Sequence, residues 1–222
     1  MFQGTMYDAV IFDKDGVLLD SGLNNFQWMD NVRIKKAEEL GYSIDKEDSV
    51  KVVKADRYSQ VEAFLSEHGM TVEDLLEIEH RVQNAKINLI RQGAIRLFPE
   101  AVKILEKLEM PTALATNAPY RTTEFTLNHF SLKNKFQAVE MLKLDDLKAY
   151  VESKKPHPDM IQDARSELDA SNPLMVGDSR SDIRAAQNAG IDSVLVQSYS
   201  EHKDLNPTHR VRNLDELRTI LN

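Results

Sequence analysis

The 222-residue chain contains no cysteine. That absence excludes disulfides, a thiolate metal site and a cysteine nucleophile. Nor is there an apolar run approaching the ~20 residues a helix needs to cross a bilayer. The amino terminus lacks the charged start and apolar core of a signal peptide. A soluble, cytoplasmic protein is the expectation. Positive charge is in deficit: 28 Lys and Arg face 36 Asp and Glu, a net charge of −8. This argues against nucleic acid or an anionic membrane as a general partner, while one local site can still be cationic. Internal repeats and low-complexity segments are absent too. Residues 1–5 read as an extension with no role in the fold.

What is present is organised around Tyr7-Asp8-Ala9-Val10-Ile11-Phe12-Asp13-Lys14-Asp15-Gly16. Residues 9–12 form a short apolar run, the pattern of a buried strand. It ends in Asp13 and Asp15. Residues i and i+2 of a strand point to one face, so both acids can reach one site. Paired carboxylates repel, and a cation between them relieves the repulsion. Gly16 then allows a sharp turn and a close approach to a ligand.

The spacing predicts helices over 25–40, 56–68 and 71–91, with Gly41, Gly69 and Gly93 as stops. No strand is expected between 23 and 92. From Pro99 the pattern alternates. Helices are expected over 100–108, 119–130, 159–168, 182–189 and 213–221, and strands over 111–116, 136–142, 173–177 and 193–197. Such alternation implies α/β architecture with a parallel sheet covered on both faces. Ligands then bind at the carboxyl ends of the strands. The residues found there are Asp13 and Asp15, Thr116-Asn117-Ala118-Pro119, Lys154-Lys155-Pro156-His157-Pro158, and Gly177-Asp178-Ser179-Arg180-Ser181-Asp182.

Taken together, these four segments resemble the haloacid dehalogenase superfamily. Its signature is Asp-x-Asp-Gly, a Ser or Thr after the second strand, Lys-Pro-x-Pro, and Gly-Asp-Ser-x-x-Asp leading into an Ala-rich helix that ends Ala-Gly. The run from Val176 to Gly190 is close to a full match. Pro156 and Pro158 favour Lys155 over Lys154 as the matching lysine. The resemblance implies a Rossmann-like doubly wound parallel sheet as core, residues 1–21 and 93–222. It also implies an inserted α-helical cap, residues 22–92, like that of phosphoglycolate phosphatases and β-phosphoglucomutases. The segment 144–155 is longer than the family pattern leads one to expect, enough for an extra turn of helix or a loop over the site.

The implied activity is a Mg²⁺-dependent phosphomonoesterase acting on a small phosphorylated metabolite, phosphoglycolate or a sugar phosphate, through an aspartyl phosphate. Asp13 is the expected nucleophile and Asp15 the acid and base. Asp13, Asp178 and the Asp15 carbonyl are expected to hold Mg²⁺, with Asp182 supporting that shell or acting only as a helix cap. Lys155, Thr116, Asn117 and Gly16 are expected around the phosphoryl group. Lys14 is expected to point away as an ordinary surface or interface residue, and His157 to be structural. Trp28 and Met29 are expected to close the core of the cap. The chain is expected to be a monomer or weak homodimer. Rival readings are a phosphosugar mutase, a dehalogenase and a non-catalytic binding module. Against the mutase, residues 21–27 lack the histidine usual in β-phosphoglucomutases; against the dehalogenase, an acid stands at position 15.

Overall fold

The computed structural model describes residues 7–23, 25–199 and 201–221. Strand β1 (Ala9–Phe12) is buried along its whole length. The chain leaves it through a turn and forms β2 (Leu19–Asp20). Four helices follow: α1 (Gln27–Glu39), α2 (Lys46–Lys54), α3 (Tyr58–His68) and α4 (Val72–Arg91). Strand β3 (Arg96–Leu97) then returns antiparallel to β2, pairing Leu19 with Leu97. The helical block therefore starts and ends on one small ribbon.

Local chemistry sets these helix boundaries. Thr71 caps α4 and Asp45 caps α2, each in a reciprocal box with the residue three positions on. Gly69 closes α3 with φ +62, a left-handed conformation glycine adopts without steric cost. Helix α2 has no counterpart among the sequence expectations. Its one buried residue is Ser49, so it carries too short an apolar stripe to register as periodic.

The remainder is α5 (Pro99–Lys107), β4 (Thr112–Pro119), α6 (Tyr120–His129), a 3₁₀ turn over Lys133–Lys135, and β5 (Ala138–Leu142). Next come α7 (Leu147–Ser153), α8 (Asp159–Glu167), β6 (Pro173–Gly177), α9 (Arg180–Ala189), β7 (Asp192–Val196), β8 (His209–Val211) and α10 (Arg218–Leu221). The terminal helix is much shorter than the expected 213–221. Asn213 Oδ1 accepts from the Asp215 amide and Glu216 Oε2 from the Arg212 amide, so the capping groups are spent on turns. The strand expected over 111–116 runs on to Pro119, and the helix expected from 182 begins at Arg180.

Six strands form one sheet in the order β5-β4-β1-β6-β7-β8, every pairing parallel. Alternate residues of β1 serve opposite faces. Val10 and Phe12 join Leu114, Leu174 and Val176 against α5 and α6, whereas Ile11 joins Ala113 and Met175 against α8 and α9. Because β1 lies between β4 and β6, the chain's winding reverses beside it. In such sheets the crevice at that reversal, at the carboxyl ends of the strands, is where ligands bind.

Helix α7 occupies the long 144–155 segment, and its packing is unexpected. Leu144, Leu147 and Val151 are buried in the same cluster as Ala37, Val61, Phe64 and Ile78 of the helical block. Lys154 Nζ donates to the carbonyl of Val53, 2.9 Å away, and His157 Nε2 lies 3.1 Å from that of Asp56. Among the described residues no helix is long and apolar enough to cross a membrane.

Candidate active site

The crevice at the ends of β1, β4 and β6 opens as a cleft of about 610 Å³. Asp13 follows β1 directly, its amide donating to the Val176 carbonyl of β6 at 2.8 Å. Asp178 follows β6, and Asp182 stands in the first turn of α9. One carboxylate oxygen of each of these three acids lies within 4.8 Å of the others.

Lys155 is the cation among them. It is 2 % exposed. Its ammonium donates to Asp13 Oδ1 at 2.7 Å, Asp182 Oδ1 at 2.5 Å and the Ala115 carbonyl at 2.7 Å. Three acceptors match its three N–H donors. Charge-assisted bonds of this kind contribute about 1.5–3 kcal/mol each. Burial opposes the lysine's charge, but Asp13 and Asp182 outweigh it and hold its pKa above the ordinary lysine range.

One lysine does not neutralise three acids. Burial, reinforced by Asp182 and Asp15, pushes Asp13 up to about 6 despite Lys155. Burial together with Asp182 and Asp13 raises Asp178 well above the usual carboxylate range. A crowded set of hard oxygen donors that resists ionisation is the environment a small divalent cation relieves. The donor set therefore fits Mg²⁺, with Asp13, Asp178 and Asp182 as the side chains able to hold it.

Asp15 lines the same cleft but has other partners. Its Oδ1 accepts from Lys86 Nζ at 2.5 Å, and its Oδ2 lies 3.3 Å from Lys14 Nζ. Burial opposes the Asp15 charge, yet Lys14 and Lys86 hold its pKa well below the usual carboxylate range. The expectation that Lys14 is an ordinary surface residue is overturned. Lys14 is 1 % exposed and also reaches Thr123 Oγ1. Burial, aided by neighbouring Lys86, brings its pKa down to about 8. Alternation does turn it from the Asp13 face, but that direction leads into the protein.

Sequence reasoning missed Lys86, although α4 carries a signal. Lys86 lies on the stripe that buries Val82, Ile87 and Ile90. A lysine on an apolar helix face is seldom buried without a partner.

Asp182 is not the N-cap of α9, which is Ser179, but the residue of the first turn that completes its capping box. Its Oδ2 accepts from the Ser179 amide and hydroxyl at 3.0 and 2.5 Å, and its Oδ1 serves Lys155. Thr116 is 1 % exposed, and its hydroxyl accepts from the Ala118 amide at 3.2 Å. Asn117 clasps the Lys155 backbone in both directions: Oδ1 accepts at 2.7 Å and Nδ2 donates at 3.0 Å. Tyr150 of α7 donates to the Asn117 carbonyl at 2.8 Å. Gly16 has φ +86, and a Cβ there would stand 1.9 Å from Asp178 Oδ2. Its lack of a side chain thus makes room for an acid. Trp28 packs on Leu19, Ile90 and Ile95 beside the ribbon, and its indole donates to the Ser21 carbonyl at 3.1 Å. Asn25 and Phe26 are consecutive left-handed residues, φ 54 and 64. Each such residue costs on the order of 1 kcal/mol or more.

A family model for haloacid dehalogenase-like hydrolases matches residues 7–190. A phosphoglycolate phosphatase of Rhodobacter capsulatus is 36% identical over 102 residues, which is 45% of this chain and 44% of that protein, under half of its length. The pyrophosphatase PpaX of Bacillus mycoides is 28% identical over 201 residues, 85% of this chain and 83% of its own. The crystal structure of a protein from Lactobacillus plantarum described as a putative phosphoglycolate phosphatase superposes with a TM-score of 0.72 at 20% identity, covering 97% of this chain and 99% of the other. That last likeness is one of fold. With the family match spanning most of the chain, and four acids and a buried lysine at the strand ends, this protein is an enzyme of the haloacid dehalogenase-like hydrolase family.

Proposed function

We propose that the enzyme is a Mg²⁺-dependent phosphomonoesterase that hydrolyses a small phosphorylated metabolite, phosphoglycolate or a sugar phosphate, through an aspartyl phosphate. The observation that carries this reading is Lys155, held between Asp13 and Asp182 beside Asp178. Phosphoryl transfer needs positioning and charge stabilisation more than other covalent help. A carboxylate nucleophile, a fixed cation and a set of hard oxygen ligands supply these.

In this reading the Asp13 carboxylate attacks phosphorus. The bond to the leaving oxygen breaks, and Asp15 gives that oxygen a proton. Water then attacks the aspartyl phosphate, Asp15 takes its proton, and inorganic phosphate is released. Mg²⁺ held by Asp13, Asp178 and Asp182 would supply positive charge to offset that of the phosphoryl group. Lys155 favours the ionised form of Asp13 against burial and fixes its position. Thr116 and the Asn117 amide face the phosphoryl oxygens. Lys14 and Lys86 favour the ionised form of Asp15, the form that accepts a proton; donating one requires it to leave them. Residues 22–92 are read as a cap domain over a core of residues 1–21 and 93–222.

The test is release of inorganic phosphate from a panel of phosphorylated metabolites, with Mg²⁺ and in chelator. Mg²⁺-dependent release that disappears in Asp13→Asn supports the reading. Isomerisation of a phosphosugar with little free phosphate would instead identify a mutase.

A further inference from the structure

Beside its acids, the cleft is lined by Asn25, Phe26, Tyr199 and His202. Two features show that this wall is built. Phe26 is held in the left-handed region after Asn25, in the same region. Such conformations persist where surrounding structure fixes them, and they concentrate at ligand clamps. The Phe26 ring meets Tyr199 edge to face, centroids 5.2 Å apart. Tyr199 is fixed in turn: its hydroxyl donates to Asp20 Oδ1 at 2.8 Å and accepts from the Gly22 amide at 3.0 Å.

The charge of the cleft is equally specific. Among the described residues lining the cleft, Lys155 is the single lysine, and there is no arginine. Lys155 already serves Asp13, Asp182 and Ala115. The nearby cations are also committed: Lys14 and Lys86 to Asp15, and Arg180 to Asp204. A second anionic group on a bound phosphoester would lose water and face Asp13, Asp15 and Asp178 without a lysine or arginine of its own. Desolvating a charge with no partner is strongly unfavourable. The helical block is tied to the sheet end through α7 and Lys86.

We infer that the group released from phosphate is uncharged: a hydroxyl-bearing ring or chain that lies against Phe26 and Tyr199, with Asn25 and His202 as its polar partners. This rests on the phosphomonoesterase reading and chooses among its substrates, favouring phosphate esters of uncharged sugars over phosphoglycolate and pyrophosphate.

The experiment compares kcat/KM for phosphate release at saturating Mg²⁺. Glucose 6-phosphate and ribose 5-phosphate are set against phosphoglycolate and inorganic pyrophosphate, with acetyl phosphate as a small control. The phosphosugars are expected to exceed both anionic compounds by about tenfold or more, and Phe26→Ala is expected to shrink that ratio by about tenfold, the scale of one lost apolar contact. Phosphoglycolate or pyrophosphate turned over as well as the sugars overturns the inference and leaves the phosphatase reading standing. A ratio unmoved in a folded Phe26→Ala variant overturns the ring wall. No phosphate from any compound, acetyl phosphate included, overturns the phosphatase reading and this inference with it.

Discussion

Lys86 of α4 reaches Asp15 across 71 residues of sequence, Nζ to Oδ1 at 2.5 Å. The contact joins the helical block to the acid that follows β1. Lys86→Met is expected to destabilise the fold by about 1.5–3 kcal/mol, the range for a hydrogen bond to a charged group. Lys86→Arg should recover part of that loss. In steady-state kinetics the Met variant should lower kcat more than it raises KM, because the partner it loses holds a reacting group. Urea unfolding and initial rates check both; equal stability and unchanged kcat in Lys86→Met would refute the role.

Asp13 offers a stability test with a defined sign. Its folded pKa, about 6, lies above the ordinary 3.8. The folded state therefore binds this proton more tightly than the unfolded chain. Its contribution to stability is full below about 3.8 and is lost as pH rises through about 6. In chelator, Asp13→Asn should be the more stable protein at pH 8, on the order of 1–3 kcal/mol at 1.36 kcal/mol per unit. The gap should close between pH 6 and 4. Denaturant titrations of both proteins across pH measure it. The same variant should have no detectable turnover.

Mg²⁺ should bind weakly or not at all to Asp178→Ala, as read by calorimetry on the purified protein. Wild-type affinity should fall as pH drops through about 6, because protons and metal compete for Asp13. Undiminished affinity in Asp178→Ala would remove that residue from the site.

Gly16→Ala is a sharper probe of the same acids. The added methyl would meet Asp178 Oδ2 at 1.9 Å, on a backbone with φ +86. Either Asp178 moves or the turn does. Mg²⁺ affinity and activity should both collapse, with a stability loss of about 1–3 kcal/mol for the strained backbone alone. Wild-type Mg²⁺ binding in this variant would contradict the close packing of turn and acid.

Much of this could be read from sequence because the relevant signals are local. Residues 9–12 and 173–177 are short apolar runs between turns, and both are strands as expected. Thr71 and Gly69 mark helix ends through their own backbone chemistry. The acids that follow β1 and β6 meet because parallel strands deliver their carboxyl ends to one edge. What escaped the sequence depends on tertiary partners. Lys14 looked exposed because its neighbours alternate, and only the packing of α4 and α6 shows it buried between Asp15 and Thr123. Strand β8 is three residues long and gains its identity from pairing with β7. Asn213 and Glu216 have the letters of a capping box, but their hydrogen bonds go to turns.

Helix α7 has a consequence for anyone recombining this protein with its relatives. Excising residues 22–92 would strip the cover from Leu144, Leu147 and Val151, which are 5 %, 6 % and 2 % exposed. Grafting the four helices onto another sheet would leave a matching hole between Val61, Phe64 and Ile78. The transplantable module is therefore discontinuous: the four helices travel with the later 144–154 stretch, and a chimera that moves one without the other should aggregate through the apolar surface it exposes.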